Sequence, residues 1–81
     1  MKIAYADCAL DALENAPAAV RKAMYKQVRF LAADLHHPSL HAKKYDEAGD
    51  VWQARVNRDW RFYFRIEGDW YRILAITPHP K

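Results

Sequence analysis

Arg55, Arg61 and Arg65 recur along a stretch in which polar and apolar residues alternate, with Tyr63 between the last two. Arginines carried on strands are held firmly enough to grip phosphate oxygens in bidentate fashion. Tyr63, and Trp52 or Trp60 where exposed at an edge, could stack on an unpaired base. Ahead of this stretch lies a basic loop, His41-Ala42-Lys43-Lys44, and Arg58 adds a further cation. His79 is the candidate proton carrier, because imidazole titrates near neutral pH and can exchange a proton with a hydroxyl or a departing oxygen. The plainer accounts are a solvated sheet face, with arginine stems covering apolar neighbours, and a tail histidine without a role.

Other reactive side chains carry weaker signals. His36, His37 and His41 invite a metal reading, but Pro38 spoils helical spacing and no cysteine or compact carboxylate set completes a tetrahedral site. No metal is expected. Cys8 falls in a first helical turn, where a thiolate is mildly favoured, yet no base stands near it in sequence; a structural role is expected.

The elements that must position these groups divide into a helical half and a strand half. A short strand, Lys2 to Tyr5, precedes Asp7, which is predicted to cap a helix over roughly residues 8 to 15. Asn15-Ala16-Pro17 breaks that helix and opens a second, running to about Leu35. Its buried stripe is Val20, Met24, Val28, Leu31 and Leu35, with Arg21, Lys22, Lys26 and Arg29 on a basic outer face. His36-His37-Pro38 ends it. From Val51 the period becomes two: Trp52, Ala54, Val56 and then Phe62, Phe64, Ile66 face a core, with polar and cationic residues between. Trp52, Phe62, Phe64 and Tyr71 are expected in that core. Trp70 to Thr77 is apolar on both faces and reads as an interior strand, and the Pro78-His79-Pro80-Lys81 tail cannot continue a ladder.

Register follows from parity. A three-residue loop at Arg58-Asp59-Trp60 opposes Arg55 to Tyr63, Val56 to Phe62 and Ala54 to Phe64. The other three-residue loop, Asn57 to Asp59, faces Arg55 against Arg61, a like-charge pair, so the first is preferred. A Gly68-Asp69 turn pairs Phe64 with Ile73 and Arg61 with Ile76. Arg55, Arg61, Tyr63 and His79 then gather at one end of the open face.

Composition bounds the rest. Eighty-one residues accommodate one domain, 1–81, and 52% apolar content with 14% aromatics argues against disorder. Two glycines exclude a Gly-rich phosphate loop, one cysteine excludes an internal disulfide, and no cofactor is expected. No secretory leader or membrane span is expected, which points to a cytoplasmic protein without a membrane partner. The net charge of +3 is mild, but six Lys+Arg fall between Lys43 and Arg65. The acids of that segment, Asp46, Glu47, Asp50 and Asp59, read as loop positions. Charge is locally suited to RNA phosphates.

The run Leu40-His41-Ala42-Lys43-Lys44, the stretch from Val51 to Phe64, and Ile73-Leu74-Ala75-Ile76 through to His79 together resemble the RelE/ParE superfamily of toxin–antitoxin toxins, nearest in pattern to HigB, YoeB and YafQ. The resemblance implies an α+β RelE-like fold, β-α-α-β-β-β, with two helices packed on a small antiparallel sheet. It implies a metal-independent endoribonuclease that cleaves mRNA on the ribosome, inhibits translation and is silenced by a cognate antitoxin. By position, Arg61 supports the scissile phosphate and His79 transfers a proton. Lys43 and Lys44 match RNA-contacting basic residues, with Lys44 in the catalytic set. His41 lies near a loop glutamate of one branch, and the identity of the base stays open. Arg55, Arg58, Tyr63 and Arg65 complete the expected RNA face. Pro80 stands where many of these nucleases carry a tyrosine, and Thr77 where several carry arginine. The alternatives are a ParE-like inhibitor of DNA gyrase and an inactive antitoxin-binding domain.

Overall fold

The alternation after Val51 folds into strands, as a computed structural model describing residues 1–78 shows. In chain order the elements are β1 (Lys2–Tyr5), α1 (Asp7–Asn15), α2 (Ala18–Ala33), a 3-10 turn (Pro38–Leu40), β2 (Lys43–Asp46), β3 (Val51–Arg55), β4 (Trp60–Glu67) and β5 (Trp70–Pro78). The sheet runs β1-β5-β4-β3-β2, with β1 parallel to β5 and every other pair antiparallel. Two helices on one face of this sheet give the expected α+β architecture. It has one strand more than expected, because the basic loop after His41 pairs with β3 as β2.

The helix ends differ in detail from the sequence reading. Asp7 is the first helical residue rather than the cap, which is Ala6 with no side-chain bond; it still puts an acid in the first turn, where the helix dipole favours negative charge. Helix α2 stops at Ala33, because Asp34 turns extended and its Oδ1 accepts the His36 N–H at 2.9 Å. Arg21 leaves the expected basic face to donate from Nη1 to the Ala16 carbonyl. Leu35 is only half-buried.

Val20, Met24, Val28 and Leu31 from α2 and Ala9 and Leu13 from α1 meet Phe62, Phe64, Ile73 and Ile76 from the sheet. Trp52 is not fully inside. It is half-buried at the rim and stacks on Phe64 with ring centroids 6.2 Å apart. Phe64 is the hinge of the aromatic set, meeting Phe62 at 5.7 Å and Tyr71 edge-on at 5.6 Å. Burial pushes the Tyr71 phenol up from its ordinary pKa.

Two registers depart from the expectation. Arg55 does oppose Arg61, and Ala54 opposes Phe62. The loop is therefore Asn57 to Asp59, because Asn57 Oδ1 accepts the N–H groups of Asp59 (2.9 Å) and Trp60 (3.0 Å) and closes a turn there. The β4–β5 pairing begins as expected, with Phe64 opposite Ile73, but Arg61 faces Thr77 rather than Ile76. Pairing Arg61 with Ile76 would have put an apolar side chain on the polar face. Leu74 is an extra residue that restores parity, so that Ile76 faces Phe62 in the core. Cys8 acts structurally at this bulge, its Sγ donating to the Leu74 carbonyl at 3.2 Å.

Phe64→Ala removes the side chain that Trp52, Phe62 and Tyr71 share. It should lower the unfolding free energy by about 3–5 kcal/mol, measured by urea denaturation.

Candidate functional site

With the helices on one side, parity turns Gln53, Arg55, Arg61, Tyr63 and Arg65 toward the other. Lys43 pairs with Gln53 and joins this open face, whereas Lys44 pairs with Trp52 and points to the helix side. At one end of the open face His41, Ala42, Lys43, Gln53, Ala54, Arg55 and Arg61 line a cleft of about 400 Å³. A second hollow of about 360 Å³ lies behind it, between α2 and the β3–β4 turn, and shares only His41 and Arg55 with the first.

The two opposed arginines define the electrostatics. Neither is in a salt bridge among the described residues, where the ion pairs are Lys44 with Asp50 and Arg72 with Glu67. Arg61 is pinned from behind: its Nη1 donates to the carbonyls of Asn57 at 2.8 Å and Trp60 at 3.0 Å. Its Nε and Nη2 have no partner among the described residues. Arg55 has a buried Nε–H that likewise finds no acceptor there. A buried donor without an acceptor costs about 1–3 kcal/mol, and like charges on facing strands add to that. Such a pair is suited to receiving an anion with several oxygens, as a phosphate group has.

The histidine at the rim is held by local backbone geometry. His41 follows the 3-10 turn in the left-handed region, φ 47°, and is exposed. Gln27, the buried polar side chain among the described residues, fixes this segment. Its Nε2 donates to the carbonyls of Arg55 (2.8 Å) and Ser39 (3.0 Å), and its Oε1 accepts from Ser39 Oγ at 2.9 Å. One amide thus ties α2 to the end of β3 and to the turn that presents His41. Next to it, His37 stacks on Phe30 with centroids 3.9 Å apart and accepts the Ser39 N–H through Nδ1.

The cleft accordingly brings together Arg55, Arg61, His41 and Lys43. Lys44 is not among them. Its ammonium bonds Asp50 and lies 5.0 Å from the Trp52 ring centroid, and the Asp50 hydrogen bond raises its pKa. Arg58 is exposed in the adjoining turn. Tyr63 lies further along the same face, its hydroxyl accepting from Gln53 Nε2 at 3.0 Å. Arg65 is further still, tethered by Nε to the Gly49 carbonyl at 3.0 Å. His79 falls outside the described residues. Gln27 escaped the sequence reading although it sits three residues after Met24 on the apolar stripe. That is the position at which a polar residue must be satisfied internally.

No protein-family model and no curated protein matches the sequence. Solved structures do match in shape. The YoeB/ParE toxin from Agrobacterium tumefaciens superposes with a TM-score of 0.83 at 15% identity, covering 99% of this chain and 100% of that one. A chain of the archaeal RelE–RelB complex from Pyrococcus horikoshii OT3 gives 0.79 at 18% identity, covering 95% and 92%. YafQ from E. coli strain BL21(DE3) gives 0.76 at 14%, covering 96% and 92%. The chain has the RelE/ParE toxin fold.

Gln27→Leu keeps the size of the side chain and leaves the Arg55 and Ser39 groups without their partner. It should destabilise the protein by about 1–3 kcal/mol in chemical denaturation, despite the gain in apolarity.

Proposed function

We propose that this chain is the toxin of a type II toxin–antitoxin pair, a metal-independent endoribonuclease that cuts mRNA on the ribosome. The observation that carries this reading is the opposed, acid-free Arg55–Arg61 pair at a cleft that His41 and Lys43 also line. The fold supports it, since solved structures of this shape include RelE, YoeB and YafQ toxins.

In the reaction a ribose 2′-oxygen bonds to the adjacent phosphorus while the bond to the 5′-oxygen breaks. The 2′-hydroxyl proton passes to a base, and a proton reaches the departing 5′-oxygen. Charge accumulates on the non-bridging phosphate oxygens, where the Arg55 guanidinium that lines the cleft adds its charge and the uncommitted nitrogens of Arg61 have hydrogen bonds to give. Arg61 is anchored through Nη1, so little reorganisation is needed as that charge develops. Lys43 adds a cation for the neighbouring backbone, and Lys44, on the opposite face, serves β2 rather than the reacting phosphate. His41 and His79 are the candidates for proton transfer. The products are a 2′,3′-cyclic phosphate and a 5′-hydroxyl.

A cognate antitoxin is the expected protein partner. Matching structures include chains from the YoeB–YefM heterotetramer of Staphylococcus aureus and from the archaeal RelE–RelB complex. A segment bearing carboxylates would neutralise the open face and block the cleft.

Mapping of mRNA ends after expression of the wild type and the Arg61→Ala and His79→Ala variants tests the reading. The wild type should produce cut transcripts with 5′-hydroxyl ends. Arg61→Ala should reduce cleavage about 10²–10³-fold, the usual loss of a donor to a developing oxyanion. Equal growth arrest from all three proteins, with intact transcripts, would sink the nuclease reading; DNA double-strand breaks would select gyrase inhibition instead.

A further inference from the structure

The open face continues beyond the cleft, and its next features are aromatic. Strand β2 slips register between Lys44 and Asp46, leaving Tyr45 as an extra residue on an edge strand. Its ring meets Tyr63 edge-to-face at 4.9 Å, with an interplanar angle of 65°. Tyr45 is nevertheless 62% exposed, so ring surface stays open to solvent after that contact is made. Tyr63 is fixed underneath by the Gln53 bond to its hydroxyl. The platform therefore has a rigid base and an accessible top.

Its surroundings favour one kind of ligand. Lys43, exposed and without an ion-pair partner among the described residues, lines the cleft on the same face, two residues before Tyr45 on β2. Arg65 flanks the far side, tethered only through Nε, so its Nη groups remain available. Tyr63 stands two residues from Arg61 on β4, about 6.6 Å along the strand, a step within the reach of one extended nucleotide. Cations alternating with an exposed ring match a single strand, whose phosphates take the charges while a splayed base takes the ring. A base within a duplex has both faces occupied and cannot do so.

We propose that Tyr45, backed by Tyr63, is a stacking subsite for an unpaired nucleobase one or two nucleotides from the phosphate held by Arg55 and Arg61. The subsite rests on the RNA-cleaving reading and adds to it a selection for single-stranded substrate, with Lys43 and Arg65 holding the flanking phosphates.

The test is a fluorescence-anisotropy titration of the full chain with a labelled 2′-O-methyl hexaribonucleotide, which lacks the attacking hydroxyl and cannot be cut. Tyr45→Ala should weaken binding about 5- to 150-fold, the loss usual for one base–aromatic stack. Tyr45→Trp should retain binding, and circular dichroism should show both variants folded, as expected at an exposed position. A single abasic nucleotide at one position of the oligomer should cost a similar factor and make Tyr45→Ala silent. Unchanged binding by Tyr45→Ala, an equal loss with every abasic oligomer, an equal loss with duplex RNA, or no binding by the wild type would each overturn the subsite. A Tyr45→Ala protein that loses only an acidic protein partner would overturn it too. Cleavage is scored separately, on unmodified mRNA carried by ribosomes. Wild-type protein that binds with the predicted abasic pattern but never cuts would remove the nuclease reading and uphold the platform. Cutting with no effect of Tyr45→Ala on binding would remove the platform alone.

Discussion

Strand β4 occupies the middle of the five-stranded order, and its side chains must alternate between two faces with incompatible demands. Phe62, Phe64 and Ile66 go to the helices; Arg61, Tyr63 and Arg65 go to the open side. A slip of one residue would bury the arginines and expose the phenylalanines. The rings are thus the reason the cations stay where they are. Phe62 and Phe64 are fully buried, and that burial sets the face on which Arg61 stands. The Leu74 bulge serves the same constraint from the neighbouring strand, since it returns Ile76 to the core side.

Parity was legible in the sequence; register was legible only next to the Gly68-Asp69 turn, where Phe64 pairs with Ile73 as expected. The alternation of Trp52 to Val56 and of Phe62 to Ile66 identified both faces. The choice between two loops turned on the rule that like charges repel across strands. That rule fails here because Asn57 closes the turn through its own side chain, and because Arg61 folds back onto the turn's carbonyls. Strand β2 was invisible for a different reason: Lys43-Lys44-Tyr45-Asp46 sits at an edge and carries no apolar alternation. Missing that strand misplaced Lys44, which pairing puts on the opposite face from Lys43.

Of the candidate site, the part that depends on residue type could be read, and the part that depends on folding back of the chain could not. Arg55, Arg61, Lys43 and His41 do converge, across a strand pair and the segment leading into β2. Gln27 reaches the same place from the middle of α2, and nothing in a helical pattern announces that its amide serves a distant strand end. The left-handed backbone at His41 belongs with it. A non-glycine residue there is mildly strained, and the bonds from Gln27 to Ser39 and Arg55 are what hold the approach to it.

The parallel pairing of β1 with β5 joins the earliest strand to the last one described, Lys2 lying beside Trp70. A parallel neighbour cannot be supplied by a hairpin, so this ladder closes only after every intervening element has been laid down. Before β5 exists, β4 is itself an edge, β1 has nothing to pair with, and the core lacks Tyr71, Ile73 and Ile76. During synthesis from the N-terminus, therefore, the arginines leave the ribosome before the scaffold that orders them. Their geometry is a late property, acquired together with the whole sheet rather than with the segment that encodes it.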